Sequence, residues 1–179
     1  MIDAVYNADW FTHLLASLIL LSRLGDIVST RLVTPTLRLE ANSIVRRFGW
    51  WFAGATVLVA LVPYYNAPIG VSILTVSLFV TSSNLGRGWW ARALGEAECE
   101  ALLIRAASRG RRSTALGFVL TAAAHMIFAG VFLMWLSGSA ATWTFWFAFG
   151  VVGYGFVIGV HGSSFVLRIF NRAAQPASV

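Results

Sequence analysis

The residues of this chain whose types and spacing offer chemistry are few: Asp26, Glu40, His125 and His161, with Thr30, Asn42 and Asn84 as hydrogen-bonding companions. Imidazoles with one or two carboxylates form a ligand set suited to zinc or a similar divalent ion, and His125, His161 and Asp26 are the expected metal ligands. A metal-bound water could then attack a substrate, with Asp26 or Glu40 as catalytic base and Thr30, Asn42 and Asn84 binding the ligand. The same histidines, at comparable depths on consecutive helices, also match what a bis-histidine haem requires, and the glycines beside His161 would make room for a macrocycle. No His-Glu-x-x-His, no Gly-x-Ser-x-Gly and no paired glutamates of the intramembrane prenyl-protein protease type occur. Gly153, Gly155, Gly159 and Gly162 do not have dinucleotide-fingerprint spacing, and no strand precedes them. Small residues four apart (Gly155, Gly159, Ser163) instead let helices approach closely.

Composition says where such a site would sit. The chain is 58% hydrophobic and 11% charged, with a mean hydropathy of +0.76, which excludes a soluble domain and suits one polytopic membrane domain over residues 1–179. The formal charge of +6 comes from arginine alone, for there is no lysine. Those arginines flank apolar runs, so membrane topology explains them and nucleic acid is not an expected partner. The lone Cys99 excludes an internal disulfide, and Glu96, Glu98 and Glu100 around it should raise its pKa. Asp3 and Asp9, with no basic residue near them, have the wrong sign for a cleavable signal, so the first span is expected to be retained.

Hydropathy predicts an all-α integral membrane bundle of five spans, about Trp10–Thr30, Phe48–Tyr65, Ile69–Trp90, Ala115–Leu136 and Thr142–Leu167. Each approaches the roughly 20 residues that cross about 30 Å of hydrocarbon. A barrel is excluded, because these runs do not alternate. Arginines gather between spans one and two, between three and four, and after five, whereas "PYYNAP" and "SGSAAT" carry no charge. The N-terminus is therefore expected outside and the C-terminus in the cytoplasm. Trp and Tyr at the span ends read as an interfacial belt. Spans two–three and four–five form similar hairpins, a topological likeness with slight residue similarity. The stretch "ARALGEAECEALLIRAASRGRR" reads as a short cytoplasmic helix between spans three and four, with Leu94, Ala97, Ala101 and Ile104 on one side.

On this topology the polar residues collect in the cytoplasmic half. His125 lies about 15 Å deep and His161 about 10 Å deep at 1.5 Å per residue. A mid-helix Asp costs about 2.5–3.5 kcal/mol on insertion, so such groups turn toward one another or toward water. A polar pocket shared by all five helices and open to the cytoplasm is the expectation; His13 stays at the outer interface. Structural roles compete. Asp26 follows Arg23 by three residues, an ion-pair spacing. Glu40 and Asn42 can cap the second helix, and Asn84, after Ser82 and Ser83, can tie neighbouring helices.

Asp26-Ile-Val-Ser29-Thr30 followed by Glu40-Ala-Asn42 resembles an uncharacterised family of small multi-spanning prokaryotic membrane proteins with an Asp-x-x-Thr-Thr … Glu-x-Asn-Pro signature. Ser29 stands in place of the first Thr and Ser43 in place of the Pro. The resemblance implies a bacterial or archaeal cytoplasmic membrane, and that Asp26, Thr30, Glu40 and Asn42 act as a linked set. Three readings stay open: a cytoplasm-facing polar or metal site serving membrane-embedded hydrolysis or small-solute handling; a haem protein; and a non-catalytic accessory subunit or homo-oligomer in which the polar residues fasten helices. A transporter lacks a second ionisable cluster in the outer half.

Overall fold

The computed structural model describes residues 8–175; Asp3 and the side chain of Arg87 lie outside the described residues. Helix α1 (Trp10–Val33) starts where Asp9 accepts the Thr12 N–H at 2.8 Å, satisfying one of the amides a helix start leaves open. Asn42 caps α2 (Ser43–Ala55), which breaks at Gly49, where φ is +71°. The chain continues as a 3-10 stretch, Thr56–Tyr64. Asn66 and an early proline begin α3 (Ala67–Leu94), proline being pre-set for a first helical turn. Then come α4 (Glu96–Arg109), α5 (Arg112–Ser137) and α6 (Trp143–Val157), the last passing through a π turn, Ile158–Gly162, into α7 (Ser163–Ala173).

Five segments are long and apolar enough to cross a membrane: Trp10–Val33, Ser43–Tyr64, Ala67–Leu94, Arg112–Ser137 and Trp143–Ala173. They match the expected five and overrun them at the arginine-rich ends. The physical reason is that helical hydrogen bonding continues past the apolar run while arginine stems reach toward the interface. The likeness of the two hairpins is limited: span two changes from α to 3-10, whereas span four is one unbroken α-helix.

Helix α1 packs on α3 and the 3-10 stretch, α3 on α6, and α6 on α5, while α4 lies against α7 at the arginine-rich end. Leu15, Ile19 and Ala60 form a buried cluster with Phe11, Val59 and Leu74 around it. At the opposite end the His13 ring pairs with the Tyr64 hydroxyl at 3.1 Å. Small residues set the helix spacing. A Cβ on Gly150 would meet Thr75 Cβ at 2.6 Å and the Ser72 carbonyl at 2.8 Å; one on Gly155 would meet Ile127 at 2.7 Å. Helix α4 differs from its expected register. Its buried residues are Cys99, Glu100 and Ala107, while Leu94 and Ala97 are exposed, because the break at Gly95, with φ +85°, re-aims the helix after α3.

Candidate functional site

The α1 face toward α3 carries Ile19, Ser22, Asp26 and Ser29 as a buried stripe three and four residues apart. That spacing puts Asp26 against α3, where Asn84 Nδ2 donates to Asp26 Oδ1 at 3.0 Å and to Thr30 Oγ1 at 3.0 Å. Arg23 pairs with the other Asp26 oxygen at 3.0 Å and donates to Thr56 Oγ1 at 2.8 Å. The Asn84 amide thus joins α1 to α3, and the Arg23 guanidinium joins α1 to the start of the 3-10 stretch. The expected Arg23–Asp26 pairing and the interhelical use of Asn84 are both present.

Arg23 also lines an open groove of about 400 Å³, otherwise largely apolar, with Thr56, Val59, Ser72, Val76 and Gly153. Its Nε and the Ser22 hydroxyl are buried with no hydrogen-bond partner. Buried donors are normally paired, so this stretch of α1 carries two unmatched polar groups, of which the Arg23 Nε belongs to a residue lining the groove and the Ser22 hydroxyl does not.

Glu40 and Asn42 are in the loop after α1. Asn42 Oδ1 accepts from the Ile44 and Val45 amides at 2.9 and 3.4 Å, so its oxygen serves the cap. Glu40 accepts the Asn42 N–H at 2.6 Å and braces that cap. Burial pushes the Glu40 carboxyl above its ordinary value, and the nearby Asp26 charge adds to the push against the Asn42 hydrogen bond.

The loop is held by a residue outside the expected site. Glu96, opening α4, accepts from the Thr34 hydroxyl, from the Arg38 N–H at 2.6 Å, and from the Thr36 N–H and hydroxyl at 3.0 and 2.8 Å. Partial burial works to raise its carboxyl, but these donors together outweigh burial and hold it below the ordinary value. Leu37, inside the grip, is buried and takes φ +60°, a conformation that bulky residues adopt only when their surroundings impose it. No local sequence signal marks this contact, because Glu96 and Thr34 are 62 positions apart. The Cys99 thiol pKa is raised as expected, but burial is the main cause and Glu98 alone of the three glutamates adds to it.

The histidines do not join this cluster. Ala123 and Gly130 are the buried residues of α5. His125 lies about 200° round the helix from Ala123 at 100° per residue, is exposed to the outside of the bundle, and gives Nδ1 to the Thr121 carbonyl at 2.7 Å. His161 is in the π turn, half-buried, with Nδ1 buried and without a partner. This corrects the expected pocket shared by all five helices. Among the described residues no group of three or more His, Cys, Asp or Glu side chains is placed to hold a metal ion. The set His125, His161 and Asp26 is not assembled.

No protein-family model, curated protein or solved structure matches the chain.

Proposed function

We propose that this chain is a multi-spanning protein of a bacterial or archaeal cytoplasmic membrane, with its arginine-rich end and C-terminus in the cytoplasm. Near that end it takes a small polar solute at a site made by Asp26, Thr30 and Asn84, with Glu40 beside it. The observation that carries this reading is the single Asn84 amide donating to both Asp26 and Thr30 across two helices. Ionisable groups inside a membrane are costly and serve function by default. The linked set Asp26, Thr30, Glu40 and Asn42, suggested by the family resemblance, fits the same reading. Solute handling is preferred over hydrolysis because the ligand set that would activate water is not gathered.

A second reading, an accessory subunit or homo-oligomer, is favoured by His125, an imidazole on the outer face of a span. A helix from another subunit would cover it at less cost than lipid.

The test is a thermal-unfolding screen of protein in nanodiscs against organic acids, amino acids, amines and monovalent ions. A solute at about a hundred times its Kd stabilises by about 2.7 kcal/mol. At least one class is expected to stabilise the wild type, with the shift lost in Asp26→Asn and Asn84→Ala. A wild type unmoved by the whole panel, or shifted no more than both variants, overturns the solute reading.

A further inference from the structure

The arginine-rich end holds a second cluster that the Asp26 site does not use. Arg168 on α7 is half-buried, and its Nε and Nη2 are buried with no hydrogen-bond partner. Those two nitrogens form one edge of the guanidinium fork, covered by protein here, which meets two oxygens of a phosphate or carboxylate in parallel once the side chain turns toward the aqueous side. The Phe165 ring lies 5.0 Å from the guanidinium carbon and orients its plane. Arg172 follows Arg168 by one turn on α7 and pairs with Glu100 of α4, the helix packed against it, and the charges of Arg46 and Glu40 also act on Arg168.

The two carboxylates leave that edge unmet. Glu100 is engaged by Arg172, and Glu40 accepts the Asn42 N–H at 2.6 Å. Arg46 is turned to the Glu40 carbonyl at 3.4 Å. Three guanidinium groups thus gather against two acids, each of which has another partner. Like charges collected in a half-buried place call for a counter-anion, and buried donors left unmatched are costly.

We propose that Arg168, with Arg46 and Arg172 around it, is a binding site for a phosphate monoester, either a lipid headgroup or a free phosphate from the aqueous side. A monoester fits because it carries nearly two negative charges and three acceptor oxygens, enough for the fork and for a neighbouring arginine. This inference is independent of the solute reading at Asp26.

The experiment uses the full chain in nanodiscs of phosphatidylcholine alone, with phosphatidic acid, or with phosphatidylglycerol at equal charge. A fourth arm adds inorganic phosphate to phosphatidylcholine discs. Tryptophan fluorescence follows thermal unfolding in the wild type, Arg168→Gln and Arg168→Lys. Phosphatidic acid is expected to stabilise the wild type more than phosphatidylglycerol does. Arg168→Gln should weaken the apparent affinity by about tenfold or more, and Arg168→Lys, which keeps the charge but lacks the fork, should recover only part of it. Stabilisation by the lipid alone assigns the headgroup, and stabilisation by inorganic phosphate as well assigns a free oxyanion; both support the site. Equal responses in wild type and Arg168→Gln, or no preference for the monoester, overturn it. Should Arg168→Gln fail to fold, Arg46→Gln carries the same comparison.

Discussion

At the scale of single residues, Asp26 has the most at stake. Its carboxylate meets Arg23 on its own helix and Asn84 on another, with the Asp26 residue 9% exposed. Asp26→Ala strands the Arg23 charge and should destabilise the protein by about 3 kcal/mol, because an uncompensated charge remains where a pair was. Asn84→Ala should cost about 0.6–1.7 kcal/mol, the range of interhelical hydrogen bonds in membranes. Reversible unfolding in mixed micelles measures both, and a double variant costing as little as Asn84→Ala alone would contradict the ion pair's weight. Glu96 makes a pH-dependent prediction. Folding lowers its pKa, so its contribution is complete above the ordinary carboxylate value and is lost as pH falls through the lowered one. Amide exchange at Thr36 and Arg38, corrected for intrinsic rate, should lose protection below about pH 4. In Glu96→Gln that acid transition should be absent and protection low throughout.

Among the elements, packing of α6 separates the two kinds of glycine. Gly150 sits against the α3 backbone at Ser72 and the Thr75 side chain, whereas a Cβ on Gly117 of α5 meets nothing within 4 Å. Gly150→Ala should therefore cost about 1–3 kcal/mol by overpacking. Gly117→Ala should be neutral or slightly stabilising through helix propensity. Equal unfolding midpoints for the two variants would show that the α3–α6 contact is looser than described. Much of this level was legible beforehand. The small-residue spacing in α6 predicted close approach, and the three-residue step from Arg23 to Asp26 predicted their pair. The facing of α5 was not legible, because a helix apolar all round carries no periodic signal. His125 is turned out because Ala123 and Gly130 are small enough to take the contact with α6.

Across the whole molecule, the charge-free turns lie at one end of the bundle and the arginine clusters at the other. If the arginine-rich end is cytoplasmic, cysteine labelling in intact cells reads it directly. Cys99 is fully buried, so a Cys99→Ser background removes it with little disturbance. Ser139→Cys, on an exposed turn, should react with an impermeant maleimide from outside. Ser108→Cys, exposed at the far end, should react only after the membrane is opened. The reverse pattern would invert the topology and place the Asp26 site toward the exterior.

Hydropathy and arginine placement were sufficient for five spans and the α4 insertion, because insertion into lipid depends on the average character of some twenty residues rather than on detail. Within that frame, the identity of the site depended on which faces met. Asp26 joined Asn84 because a stripe on α1 turned toward α3. Glu96 reached back across 62 positions to Thr34, and no local pattern encodes such a contact. Arg168 keeps unmatched donors while Glu100, on the helix packed against α7, is taken by Arg172. Side-chain direction in an apolar helix is decided by its neighbours' shapes, and those exist only once the chain is folded.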